Sequence, residues 1–104
     1  MTSLPIVLTD AAESDILEQA DWYESQAGPQ LAKGWELAVV SALIRLQTNP
    51  YSGALCTFQQ SENRGMRRLR IVGFPKHLIF YQVEAEKLLI IRVLHGARDL
   101  ESLF

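Results

Sequence analysis

Met66-Arg-Arg-Leu-Arg-Ile-Val-Gly73, Phe74-Pro-Lys76, His77-Leu-Ile-Phe-Tyr-Gln-Val83, Glu84-Ala-Glu86, Lys87-Leu-Leu-Ile-Ile-Arg-Val-Leu-His-Gly96 is the stretch that decides the fold. Three runs rich in β-branched and aromatic residues are separated by short polar or Pro/Gly breaks, the pattern of an antiparallel meander. Breaks of about three residues suit antiparallel neighbours and are too short for parallel crossovers. The run Leu88 to Leu94 is apolar on both faces except at Arg92, so it calls for cover on both sides. Period-two alternation puts Leu69 and Ile71 on one face of the first strand, with Arg68, Arg70 and Val72 on the other. His77, Ile79, Tyr81 and Val83 alternate with Leu78, Phe80 and Gln82. Leu88, Ile90, Arg92 and Leu94 alternate with Leu89, Ile91, Val93 and His95.

Working outward, Pro5 to Thr9 reads as a short strand that extends the sheet. Asp10-Ala-Ala-Glu13 has the spacing of a capping box. Ala12, Ile16, Ala20, Tyr23 and Ala27 then form one stripe of an amphipathic helix over about 11–25. Gln26-Ala-Gly-Pro29 breaks it, and Pro29 suits the first turn of a second helix over 29–48. Leu31, Trp35, Ala38, Val39, Ala42 and Leu46 form that helix's main stripe. Leu37, Val40 and Ile44 form an adjoining one, and so wide an arc predicts burial against both the first helix and the sheet. Thr48-Asn-Pro50 ends the helix, and 50–65 reads as loop. The expected fold is α+β, in the order β-α-α-β-β-β, with a helical hairpin on one sheet face and residues 1–104 as one domain.

The far face then holds arginines beside large apolar residues, with only Leu100 to Phe104 available to cover it, so the free chain is expected to self-associate. Net charge is −2 and the pI about 5.6. Residues 1–63 carry two basic and eight acidic side chains (−6), whereas residues 64–104 carry eight basic and four acidic (+4). That split predicts an oriented molecule with a modest basic face. One cysteine, Cys56, with no His or Cys at ligand spacing, fits a reducing compartment and a small satellite-core residue. No signal peptide and no membrane span is expected, and no metal or cofactor; the expected location is cytoplasmic.

The short strand, the α-hairpin ending in Asn-Pro, the Arg-rich strand, Ile-Phe-Tyr-Gln-Val and the closing Ile-Ile-Arg-Val-Leu-His-Gly-Ala-Arg-Asp together resemble the RelE/ParE superfamily of type II toxin–antitoxin toxins, which includes plasmid-stabilisation systems. RelE-like members cleave mRNA in the ribosomal A site; ParE-like members inhibit DNA gyrase. For a RelE-like nuclease the resemblance implies Arg68, Arg70, His77, Tyr81 and Arg98 as the catalytic set. RNA cleavage needs a base, cationic stabilisation and an acid. The late Tyr or His of that family is absent, since the chain ends Ser-Leu-Phe104. Guanidinium is a poor base at neutral pH, and an acidic chain is ill suited to dense phosphate.

The ParE-like reading is therefore preferred: no catalytic residues, and stoichiometric binding to a target, with gyrase the candidate and the ribosome the target of the rival reading. A cognate antitoxin would neutralise the toxin, and oligomers would form through the complex. A degenerate member that keeps only antitoxin binding is a further alternative. Candidate antitoxin- or target-binding residues are Arg67, Arg68, Arg70, Trp22, Arg92, His95 and Arg98. The structural alternatives are a salt bridge for Arg92, core roles for His77, His95 and Tyr81, and a hairpin-edge core role for Trp22. Asp99 is expected to cap a last turn over Leu100 to Leu103.

Overall fold

The computed structural model describes residues 4–56 and 65–96. Strand β1 (Ile6–Leu8) leads into helix α1 (Asp10–Ala27) and helix α2 (Pro29–Thr48). Strands β2 (Ala54–Leu55), β3 (Arg67–Ile71), β4 (Phe74–Val83) and β5 (Leu88–His95) follow. They form one sheet in the order β1-β5-β4-β3-β2, antiparallel except for β1 beside β5. The β-α-α-β-β-β order holds, with the two-residue edge strand β2 added inside the stretch expected to be loop.

Helix α1 is capped one residue before the expected box. Thr9 Oγ1 accepts from Ala12 N at 3.0 Å and donates to the Ile91 carbonyl at 2.7 Å, tying the helix start to β5. The helices are joined by Gly28 alone, at φ 92°, and not by a four-residue break. A single left-handed glycine followed by Pro29 reverses the chain, so both helices run to its edge. The β3–β4 turn is likewise tighter than expected. Val72-Gly73 makes it, with Gly73 at φ 90°, and Phe74-Pro75-Lys76 already belongs to β4.

Trp35, Val39, Ala42 and Leu46 pack with Ile71, Ile79, Tyr81, Leu88, Ile90 and Val93 into the main core, and Leu69 leans on it. This is the predicted face and most of the predicted stripe, with Ala38 packed beside it and Leu31, in the first turn of α2, exposed instead. Trp35 is fully enclosed, and its Nε1 donates to the Ile16 carbonyl at 3.0 Å. Truncating it to alanine should cost about 3–5 kcal/mol. The second stripe of α2 does not behave as expected. Leu37, Val40 and Ile44 are 58%, 51% and 56% exposed. They lie about half a turn from Trp35, and α1 and the sheet both occupy the Trp35 side.

The other sheet face is also unlike the expectation. Met66, Phe80 and Leu94 are buried there in a second cluster, with Cys56, Leu78 and Ile91 packed on them. The face is not a bare apolar patch, which removes the ground for expecting self-association. Burial raises the Cys56 thiol above its ordinary pKa, with Arg68 opposing, as befits a satellite-core residue. The expected alternation of β5 fails because the register shifts at Phe80/Tyr81. Phe80 pairs Arg92 and Tyr81 pairs Ile90, leaving Ile91 as the extra residue of a bulge. Leu88 and Ile90 face the helices, but past the bulge it is Val93 that does so, while Leu94 joins the far cluster.

Candidate functional site

The free end of the meander, where the β3–β4 turn meets the end of β5, carries most of the candidate residues. His77 and His95 stand opposite each other on β4 and β5, their rings 5.2 Å apart and nearly perpendicular. On the helix side His77 joins an aromatic cluster with Trp35 (4.7 Å), Tyr23 (6.2 Å) and Phe74 (6.5 Å). Trp22 packs edge-on against Tyr23 at 5.5 Å but stays 56% exposed. These rings border a cavity of about 520 Å³. Burial lowers the pKa of His77 below its ordinary value and His95 lowers it further, so His77 is neutral at pH 7.

Arg68 and Arg70 extend exposed from the opposite side of β3. With Lys76, Leu78 and His95 they line a groove of about 560 Å³. Its cations come from alternate positions of β3 and from the start of β4 beside it. Helix-side cavity and far-side groove share Pro75, Lys76 and His95, so the two adjoin around the sheet's end.

The remaining candidates sit elsewhere. Arg67 is half-buried and donates to the carbonyls of Gly53 at 2.7 Å and Tyr51 at 3.2 Å, its guanidinium lying 5.0 Å from the Tyr51 ring centre. Tyr81 is fully buried; its hydroxyl donates to the Pro50 carbonyl and accepts from Gly53 N, both at 2.9 Å. Burial raises the pKa of this phenol, against the Gly53 hydrogen bond and the Arg67 charge. Arg67 and Tyr81 thus clamp the connection after α2 onto the sheet.

Arg92 forms a two-pronged pair with Asp15 of α1, Nε at 2.7 Å and Nη2 at 2.8 Å. The same carboxylate accepts from Val93 N at 3.0 Å, capping an edge amide of β5 beyond the reach of β1. The bonds raise Arg92 above its already high pKa, with desolvation opposing. Arg98, the Asp99 turn and Leu100 to Phe104 lie outside the described residues. Among those described, no three His, Cys, Asp or Glu side chains cluster as metal ligands, and no helix is long and apolar enough to cross a membrane.

The structure therefore gathers Arg68, Arg70, His77, His95 and Trp22 around one end of the sheet, and sets Arg67, Tyr81 and Arg92 apart as clamps. Sequence reasoning missed Tyr23, Phe74 and Lys76. The adjacency of aromatics in Trp22-Tyr23 to those in Phe74-Pro-Lys-His77 could be seen only once the α-hairpin was laid over the β3–β4 turn.

A family profile described as ParE toxin of type II toxin-antitoxin system, parDE, matches residues 6–100. Among solved structures, the chain is similar to one from the chromosomal ParDE TA system of P. aeruginosa. The TM-score is 0.73 at 20% identity, over 89% of this chain and 96% of that one, a likeness of fold. No curated protein matches significantly.

Proposed function

The chain belongs to the ParE toxin family of type II toxin–antitoxin systems, and from that premise we propose that it acts by stoichiometric binding to a target, with DNA gyrase the first candidate, and is neutralised by an antitoxin encoded beside it. The family match over residues 6–100 carries this reading. The chemistry of the meander agrees with it. The Tyr81 hydroxyl is buried and already uses its proton and a lone pair on backbone groups, so it has no role left as a catalytic acid. His77 lies beneath the aromatic cluster, on the sheet face away from Arg68 and Arg70.

Exposed Arg68 and Arg70, with Lys76 and His95, form a basic rim suited to an acidic segment of the antitoxin. Such rim charges act mainly on the association rate, each contributing about 0–1 kcal/mol to affinity. One observation favours the rival nuclease reading: His95, whose imidazole can donate or accept a hydrogen bond, borders the groove that holds Arg68 and Arg70. The test is induced expression in the host cytoplasm with and without the neighbouring reading frame. Growth arrest relieved by that frame supports the toxin reading. Normal growth on expression of the chain alone contradicts it and points to a degenerate, antitoxin-binding member.

A further inference from the structure

His77 sits where a histidine is hard to charge. Its ring is 5% exposed, and the buried Nε2 has no hydrogen-bond partner among the described residues. The neutral ring leaves one atom unpaired there, whereas the protonated ring would place a charged N–H in the same spot. Its neighbours offer that charge little. Tyr23 and Gln19 border the site from α1, the ring of Trp35 from α2, His95 from β5 and Lys76 from β4 itself. Lys76 is cationic and His95 becomes so in acid, and among the described residues no carboxylate lines this cavity. Asp15 and Glu18 of α1 border His95 from another recess, and Asp15 is held by Arg92. The π faces of Trp35 and Tyr23 attract a cation, but by less than burial without a charged partner costs it. Burial first and His95 second accordingly hold the pKa of His77 below its ordinary value. Beside the ring lies open space of about 520 Å³, whose wall it shares with Tyr23, Phe74 and His95.

We propose that His77 is an acid-triggered latch between the helical hairpin and the sheet: on gaining a proton its ring leaves the aromatic cage for the adjoining open space, and the end of α1 loosens from the start of β4. The contacts it would release are those of the cage. His77 packs against Trp35 at 4.7 Å and Tyr23 at 6.2 Å, and Phe74 lies 5.5 Å from Tyr23 and 5.3 Å from Trp35. A departing ring leaves a void among them that Tyr23 and Phe74, which already border open space, are free to follow. Elsewhere the hairpin is held without His77. Thr9 ties the start of α1 to the Ile91 carbonyl, and Asp15 pins it to Arg92 and Val93 N, so the opening is confined to one end. The proton favours the open form. The closed form is therefore held above the pKa of an exposed histidine, near ~6.5, and lost as pH falls below it. The ratio of open to closed rises by up to about tenfold per pH unit until the closed form titrates too. Because the cavity shares Pro75, Lys76 and His95 with the groove of Arg68 and Arg70, the same event reshapes that basic rim. The latch is independent of what the chain binds.

The test uses the full chain, uniformly isotope-labelled and followed by nuclear magnetic resonance from about pH 7.5 to about pH 4.5. The His77 ring should titrate with a midpoint below ~6.5. The indole N–H of Trp35, bonded to the Ile16 carbonyl, and the ring of Tyr23 should shift with that same midpoint, while the amides of β3 and of the second half of α2 keep their dispersion. His95→Gln removes the neighbouring imidazole, so it should preserve the transition and move its midpoint upward. His77→Phe should remove the transition at Trp35; should that variant fail to fold, the parent and His95→Gln titrations decide. Protonation of His77 with Trp35 and Tyr23 unmoved would show that the cage tolerates the charge. Collapse of all amides together with the His77 titration would show global unfolding with no latch. Either result overturns the proposal, as does a Trp35 transition that survives His77→Phe or vanishes in His95→Gln.

Discussion

Replacing Tyr81 by phenylalanine removes a single oxygen and isolates the contribution of the clamp. That oxygen joins Pro50 O and Gly53 N, each at 2.9 Å, across 28 to 31 residues of sequence. Gly53 packs so closely that a Cβ there would lie 2.5 Å from the phenol oxygen and 2.7 Å from the Arg68 carbonyl. Water therefore has little room to replace the lost hydroxyl. Leaving the buried Gly53 N–H unpaired costs about 1–3 kcal/mol, and the half-buried Pro50 carbonyl adds about 1 more. The expected loss is about 2–4 kcal/mol, a large share of a typical total of about 5–15.

Urea unfolding followed by the fluorescence of enclosed Trp35 measures this. With a slope near ~1.5 kcal/mol per M the midpoint should fall by roughly 1.3–2.7 M. The pH dependence gives a second readout. The folded phenol titrates above its unfolded value near 10, so the unfolded chain ionises first. This contribution is present below pH ~10 and lost as pH rises through the folded value. Stability of Tyr81→Phe should therefore decline less above pH ~10 than that of the parent; the decline due to Tyr23, also raised by burial, remains. A midpoint shift below ~0.5 M together with an unchanged alkaline decline would refute the clamp.

The other predictions can be checked on the same material. His77→Phe should hold or raise stability by about 1 kcal/mol, since it removes an unpaired buried nitrogen. The depressed folded pKa of His77 means that its contribution is present above pH ~6.5 and lost as pH falls below it, so acid titration of stability should be flatter in this variant. Asp15→Ala should cost about 2–4 kcal/mol in urea unfolding, because it strands Arg92 and uncaps Val93 N. A cost below ~1 would show the pair to be mere surface decoration. Joint substitution Leu37→Gln, Val40→Gln and Ile44→Gln should change stability by about 1 kcal/mol or less, whereas Leu46→Ala alone should cost about 2–5. Arg68→Glu with Arg70→Glu should slow antitoxin association at low salt more than it speeds dissociation, as read by stopped-flow.

The meander, the α-hairpin and the Trp35 stripe were legible because each is written in periodicity, and the family match bears out the resemblance drawn from those same runs. The bulge at Ile91 was not legible: one extra residue in Leu-Leu-Ile-Ile leaves no mark in an unbroken apolar run. Composition could not distinguish Leu37, Val40 and Ile44 from core residues either, since an apolar arc does not name the element that covers it. Thr9 and Asp10 are both good caps, and the contact to the Ile91 carbonyl decides between them. A salt bridge for Arg92 was legible as an alternative, but not its partner, since Asp15 lies 77 residues away in sequence. The cavity depended on three-dimensional adjacency: the rings that build it come from the end of α1 and the start of β4, a segment that read as a loop.

The most direct test of stoichiometric action without catalysis is a titration of the purified chain into a gyrase supercoiling reaction. The account predicts inhibition that grows in proportion to added protein, is complete near equimolar occupancy of gyrase, and is relieved by equimolar antitoxin. Undiminished supercoiling at tenfold excess, in a preparation that still arrests growth, would contradict it, as would inhibition complete at a small fraction of the gyrase concentration.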